Sequence, residues 1–223
     1  MIDGLWEEAG STRRVTAFRA GAFCAQPSGK LLPALAANGI AIDSSVVKKM
    51  TRHDGQVDLD FMAAPAGRRH WQVSMDVARE DPDGSVMEIP IDSRMGRRIQ
   101  QLTPRRMLAK FSGNVPMEKQ REMVSQLGMG RSPVSIARFL MRPFPIKLDF
   151  HNMSARQMLH WVRNAPPAPA GDMDVIMLIG HSKEHRDDAN FEAFLAGVAG
   201  DRSLEVVSLS DVAERWKKWR VES

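Results

Sequence analysis

The stretch RVTAFRAGAFCAQPSGKLLPALAANGIAIDSS, residues 14–45, decides the fold class of this chain. Its first five residues have the β-branched and apolar content of a buried strand. Ser28 is predicted to cap a helix whose apolar residues recur at helical spacing, and Gly39 is a typical helix end. Residues 40–42 then predict a second short strand that ends at Asp43. Strand, helix and strand with short connections indicate a βα unit of a parallel sheet or barrel.

The same order of elements returns near the carboxyl end. The run DVIMLI is continuously apolar, as is typical of a strand covered on both faces. The predicted elements there are a helix at 154–164 capped by Ser154, a strand at 174–179, a helix at about 190–198, a strand at 204–209 and a helix from Ser210.

The middle of the chain has a different pattern. Residues 71–77 and 85–91 alternate loosely and are predicted to pair as strands around the turn sequence at 81–84. Residues 99–142 are rich in Arg and Met and are predicted to be helical, with breaks at three prolines. We expect them to belong to an insertion or lid at about 94–145 that packs on the α/β core. The interpretation is therefore one α/β domain over residues 1–223 with an insertion.

Composition excludes several classes of protein. The chain has 223 residues, of which 43% are hydrophobic, which suits one domain with a sizeable core. A single cysteine, Cys24, excludes a disulfide framework within the chain, and we expect it to be buried and inert. No basic and apolar leader begins the sequence and no run of about 18 apolar residues occurs. These features predict a cytoplasmic protein without a transmembrane segment.

The positive charge is concentrated in one segment. Residues 94–142 hold eleven Lys and Arg against two acidic residues, a net charge of +9, so the rest of the chain is acidic within an overall +4. Such a segment predicts either a solvated Arg-rich lid or a surface that binds an anionic polymer or a partner chain. No helix-turn-helix, zinc finger or aromatic RNA-binding motif accompanies it, so nucleic acid is not an expected partner.

Three polar residues follow predicted strands, where α/β folds place their reactive groups. Arg19 can hold a carboxylate in a bidentate fork, and His181 is suited to general acid work near neutral pH. Each also has a plain alternative: a surface arginine, an Asx-type cap at Asp43, or a structural histidine. His181 and His185 have the spacing of two metal ligands on one helix face, but no third ligand is identifiable.

These stretches together resemble the polysaccharide deacetylase, or NodB-homology, family. The resemblance rests on FRAG at 18–21, LLPAL at 31–35, GIAIDSSV at 39–46, VMEIPI at 86–91 and LIGHSKE at 178–184. It covers roughly residues 15–215, with weak support inside 94–145.

The resemblance implies a partial, deformed (β/α) barrel and hydrolysis of N- or O-acetyl groups on a glycan. The family uses a divalent metal, zinc or similar, bound by one Asp and two His. Arg19 matches the arginine that orients the catalytic carboxylate, and His181 matches the late histidine that acts as general acid. Asp43 matches a position near the acidic residue that tunes this histidine, although the tryptophan usual after it is absent.

Four neighbours of these residues are predicted to contact substrate: Phe18, Phe23, Ser44 and Ser182. The metal ligands are a different matter, because the family's Asp-Asp and His-x-x-x-His motifs precede the arginine turn. Only eighteen residues precede Arg19 here, and none forms either motif. HSKEH at 181–185 fits the spelling of the histidine pair, but its place in the order agrees with the late motif.

The sequence therefore predicts the C-terminal part of a deacetylase domain, with no metal bound by this chain and no activity on its own. Three explanations fit: a truncated or misassigned start, a split protein completed by a separate N-terminal chain, or a metal-free binding module. We favour the first, with acetylated carbohydrate as the expected partner.

Overall fold

The computed structural model describes residues 14–53, 57–101, 132–170, 173–180 and 188–222. Two short 3-10 turns, Gly21–Phe23 and Arg98–Gln101, accompany the regular elements. In chain order these elements are β1 (Ala17–Phe18), α1 (Leu31–Ala37), β2 (Ile42–Asp43), β3 (Thr51–His53), β4 (Asp58–Asp60), β5 (Trp71–Val73), β6 (Val86–Glu88), β7 (Ser93–Arg97), α2 (Pro133–Met141), β8 (Pro143–Lys147), α3 (Ala155–Arg163), α4 (Asp188–Ala199) and α5 (Leu209–Glu222).

The main sheet has the strand order β1-β2-β6-β5. The β1–β2 and β2–β6 pairs are parallel, and β5 pairs with β6 in the antiparallel sense. Helix α1 connects β1 to β2, as the sequence predicts for a βα unit. The antiparallel β5–β6 pair confirms the predicted pairing around the turn at 81–84.

Single parallel bridges extend this sheet toward the carboxyl half of the chain. Val47 bridges Ile91, Ile91 bridges Met177, and Asp149 bridges Ile179. The predicted strand at 174–179 is thus extended chain beside the sheet, with two bridges in place of a continuous ladder. Its side chains alternate between two apolar clusters, which confirms that it is covered on both faces.

Helices cover the sheet on both sides. Helix α5 packs Val212, Ala213 and Trp216 against Ile42 and Met87 of β2 and β6. On the opposite side of the sheet, α1 contributes to a larger cluster of buried side chains. A third cluster joins α3, α4 and the end of β8. Because residues on one strand alternate between faces, the residues after Ile42 and Met87 point away from α5.

The two ends of the basic segment lie side by side in one antiparallel strand pair. Strands β7 and β8 pair antiparallel, from Ser93 opposite Lys147 to Arg97 opposite Pro143. Helix α2 begins at Pro133 with Ser132 as its cap, so the predicted helical character is confirmed there. The part of the predicted insertion at 102–131 lies outside the described residues.

Two predicted helix starts are wrong by a few residues. Ser28 does not cap α1, because its hydroxyl accepts a hydrogen bond from the Val77 N–H at 3.1 Å and the helix begins at Leu31. The last helix begins before Ser210, since Ser208 and Asp211 exchange hydrogen bonds as a capping pair.

Two further expectations are also corrected. The strand predicted at 204–209 is not formed, because residues 204–208 pair with no described strand. Cys24 is exposed, although we expected it to be buried. By contrast, Ser154 caps α3 through a reciprocal capping box with Gln157, as predicted.

The fold is therefore mixed α/β with a mixed sheet, and the described strands close no barrel. The finer expectation of a partial deformed barrel stays a prediction. None of the described helices is both long and apolar enough to cross a membrane.

Gly84 lies where β6 approaches the backbone of β5. A Cβ placed there would lie 2.5 Å from the N and O atoms of Val73, and these backbone atoms cannot move aside without breaking the pair. We expect Gly84→Ala to lower the free energy of unfolding by about 2 kcal/mol or more, the cost of overpacking. Urea denaturation measures this change. Gly67→Ala is the matched control, since nothing lies within 4 Å of its Cβ position, and equal effects of both variants would contradict the assigned pairing.

Candidate functional site

Two acidic side chains face each other across the parallel β2–β6 pair. Asp43 and Glu88 are directly opposite in the register, and each follows a residue that points toward α5. Both carboxyls are fully buried. Neighbouring residues in register place their side chains on the same face of the sheet at close range. The sheet thus brings two carboxyl groups together in its interior.

Each carboxyl has one oxygen bound by a described donor. Asp43 Oδ1 accepts a hydrogen bond of 2.6 Å from the Ser45 hydroxyl, and Glu88 Oε1 accepts one of 2.9 Å from the Val46 N–H. The Ser45 hydroxyl in turn accepts from the Ala20 N–H at 2.9 Å. The second oxygens, Asp43 Oδ2 and Glu88 Oε2, meet no donor among the described residues.

A shared proton accounts for this arrangement. Burial raises the pKa of Glu88 well above its usual value, and the neighbouring Asp43 raises it further. Burial also raises the pKa of Asp43, while hydrogen bonds from Glu88 and Ser45 act in the opposite direction. Two carboxylates that lie opposite each other and are buried from solvent strongly disfavour being ionised together. Glu88 is therefore the carboxyl whose protonated form is favoured most, and a proton on Glu88 would supply the hydrogen bond between the two groups.

Arg19 is held beside this carboxyl pair. Its Nε donates to the Ser44 carbonyl at 2.9 Å and its Nη2 donates to the Ser44 hydroxyl at 3.0 Å. Partial burial lowers the pKa of Arg19, and the charges of Glu88 and Asp43 oppose that shift. Two bonds to one residue fix the plane of the guanidinium, which a lysine could not reproduce.

The predicted substrate-binding residues occupy different environments. Ser44 is fully buried and holds Arg19, and Phe18 packs against the core next to α1. Phe23 is half-buried, and the Lys147 ammonium lies 4.5 Å from its ring centroid. Ala22 and Phe23 both have positive φ, of 52° and 65°, so the turn after Arg19 is held in an uncommon conformation. Their contacts with substrate stay predictions.

The predicted strand at 174–179 is followed by residues 181–187, which lie outside the described part of the chain. His181, Ser182 and His185 all fall there, so their predicted roles are untested. In the chain that precedes them, Ile179 bridges the buried Asp149 and Gly180 packs on Phe150. A Cβ on Gly180 would lie 1.8 Å from a Phe150 ring carbon, so this step requires glycine.

Glu88 is the site residue that the sequence analysis missed. It lies in VMEIPI, a stretch used only for the resemblance, and no role was assigned to it. The available signal was a charged residue inside an otherwise apolar strand, because such a residue is rarely buried unless it is paired. What the sequence alone does not supply is the register that identifies Asp43 as its partner.

The described part of the basic segment uses two of its arginines for packing. The Arg94 guanidinium lies 4.3 Å from the Trp161 ring centroid and donates to the Trp161 carbonyl at 2.8 Å. Arg98 lies 4.4 Å from the ring centroids of both Phe139 and Phe144. These cation–π contacts hold two arginines of the segment against aromatic rings, and the predicted solvated lid and anion-binding surface both stay predictions.

The described residues provide no ligand set for the divalent metal that the resemblance implies. Across the part of the chain that the structure describes, no three His, Cys, Asp or Glu side chains gather as ligands. Metal ligands must be deprotonated, whereas the raised pKa values of Asp43 and Glu88 favour their protonated forms. Asp149 is bound by the His151 N–H at 2.9 Å and by the Asn152 side chain. No metal-dependent step is therefore assigned to these residues.

The protonated pair predicts an unusual pH dependence of stability. The raised pKa values mean that folded Glu88 keeps a proton that the unfolded chain releases above a pH of about 4.5. The stabilising effect is complete below that pH and is lost as the pH rises toward the folded pKa. Glu88→Gln replaces the titrating donor with an amide. We expect the stability of this variant to rise relative to that of the wild type between pH 5 and pH 8.5, by about 1.4 kcal/mol for each pH unit over which only the folded wild type holds the proton. Urea denaturation at several pH values measures this change.

Glu192→Gln is the matched control for this pH series. Glu192 is exposed on α4, so its substitution leaves the slope of stability against pH unchanged. The shared proton would be contradicted if Glu88→Gln and Glu192→Gln followed the wild-type slope equally.

Comparisons of the chain with models of protein families, with curated proteins and with solved structures found no match. The likeness to polysaccharide deacetylases therefore rests on the sequence motifs alone, and the function that it implies is a proposal.

Proposed function

We propose that this chain is a carbohydrate-directed domain of the deacetylase type, and that its described residues supply the supporting part of the site. The observation that carries the proposal is the placement of Arg19, fixed by Ser44, beside the Asp43–Glu88 pair at the ends of neighbouring parallel strands. In α/β folds with parallel strands, ligands bind at this edge of the sheet.

The roles follow from what each group can reach. The Arg19 guanidinium can bind and orient an oxygen of the substrate, since Ser44 holds its Nε and Nη2 and leaves Nη1 for another acceptor. Asp43 is fully buried, so it acts by position and charge and not by contact with substrate. His181 keeps the role of general acid that the resemblance implies.

The proposed activity of this chain by itself is binding of an acetylated glycan. Hydrolysis by this family needs a metal to acidify water, and the described residues gather no such ligand set. The alternative function, binding of an anionic polymer or a partner chain through residues 94–142, stays a prediction, because residues 102–131 lie outside the described residues.

Binding is tested by calorimetric titration with N-acetylglucosamine oligomers and with acetylated xylan oligomers. We expect saturable binding to one of them, and at least tenfold weaker binding by Arg19→Met because it removes the orienting cation. Arg14→Met is the control, since Arg14 is exposed and precedes the same strand. Lack of binding to both glycans, or equal affinities of the two variants, would contradict the proposal.

A measurement of acetate release tests the proposal that this chain by itself binds the glycan without hydrolysing it. We expect none from the chain by itself with zinc, cobalt or manganese added. Metal-dependent release that disappears in His181→Ala would show that this chain holds a metal site of its own, and it would overturn the assignment of a binding role alone.

A further inference from the structure

A basic cleft lies between the loop before β5 and the start of β7. It has a volume of about 430 Å³, within the usual range for small-ligand sites. None of Arg19, Asp43 or Glu88 lines it. The charged and amide side chains in its wall are Lys48, Arg68, Arg69, Asp92, Arg94 and Asn164. Four cations thus face one carboxylate.

Lys48 is a half-buried ammonium with neutral partners. Its Nζ donates to the carbonyls of Arg68 and Ala66 and lies 5.4 Å from the Trp71 ring centroid. Among the described residues no carboxylate lies within ion-pair distance of it, although Asp92 acts on it from further away. A desolvated cation without an anionic partner carries a cost that a bound anion would offset.

Arg94 is the second such cation, in the wall of the same cleft. Its guanidinium donates to the carbonyls of Trp161 and Asn164 and stacks on the Trp161 ring. The one carboxylate in the cleft wall, that of Asp92, already has two donors. It accepts a hydrogen bond from Arg69 at 3.4 Å and one from the Trp161 indole N–H at 3.3 Å. The cleft therefore has an excess of positive charge.

The other two arginines keep their own acidic partners. Arg68 pairs with Glu80, and Arg69 pairs with Asp174 at 3.3 Å as well as with Asp92. These pairs fix the wall of the cleft and leave the charges of Lys48 and Arg94 uncompensated. Burial lowers the pKa of Lys48 to about 8, and Arg69 contributes to the decrease while Asp92 opposes it.

We propose that the cleft lined by Lys48 and Arg94 binds a small oxyanionic ligand through its phosphate or carboxylate group. Both groups accept several hydrogen bonds from ammonium and guanidinium donors. This site is separate from the proposed glycan site and does not depend on it.

The test is a calorimetric titration at low ionic strength with inorganic phosphate and with glucuronate, and with glucose as the neutral control. Low salt is needed because exposed charges are screened over about 10 Å at 0.1 M. We expect saturable binding of at least one anion and none of glucose. Tighter binding of phosphate would indicate a phosphate-bearing ligand, and tighter binding of glucuronate a carboxylate.

Lys48→Met removes the charge and keeps the length of the side chain. We expect it to weaken anion binding at least tenfold, whereas Lys49→Met leaves it unchanged, because Lys49 donates to the Met62 carbonyl and does not line the cleft. If circular dichroism shows that Lys48→Met does not fold, Arg94→Gln replaces it in the titration, because it removes the other cation of the proposed site. The proposal is overturned if neither anion binds, or if Lys48→Met and Lys49→Met bind equally.

A pH series adds a second readout. Glucuronate keeps its charge between pH 7 and pH 9, while Lys48 loses its proton around pH 8. Arg68, Arg69 and Asp92 are the other charged groups that line the cleft around Lys48, together with Arg94. The affinity of the wild type for glucuronate should therefore fall as the pH rises, and that of Lys48→Met should stay level.

Discussion

The structure depends on the contact between two buried carboxyl groups. Asp43 and Glu88 lie opposite each other in parallel strands and are both fully buried, so two negative charges there would oppose the pairing of β2 with β6. One proton between the carboxyls turns this repulsion into a hydrogen bond. The remaining oxygens are satisfied by Ser45 and by the backbone at Val46, so the network is complete.

The candidate site is built outward from that pair. Ser45 links it to the backbone of Ala20, and Ser44 fixes the guanidinium of Arg19 in two hydrogen bonds. Three short strands are thereby locked at one edge of the sheet by polar contacts, while α5 covers the opposite face with apolar ones. Polar networks of this kind specify a register more sharply than apolar packing, because a shift of one residue leaves buried groups unsatisfied.

Much of the local structure could be predicted from the sequence, because local signals determine it. The capping box that begins α3 at Ser154 and the turn that joins β5 to β6 both depend on residues a few positions apart. Helix α5 was placed slightly late because Ser208 caps it in preference to Ser210. The Asp43–Glu88 contact joins residues far apart in the chain, and only the tertiary register determines it. The motifs placed Arg19 and Asp43 together, but the sequence did not reveal that Asp43 is buried and shares a proton.

Infrared difference spectroscopy tests the shared proton most directly. Spectra of the wild type and of Glu88→Gln at neutral pH differ by the signal of one protonated carboxyl group if Glu88 holds the proton. The account predicts this carboxylic acid band in the wild type, its loss in Glu88→Gln and no change in Glu192→Gln. A wild-type spectrum in which both carboxyls are ionised at neutral pH would contradict it.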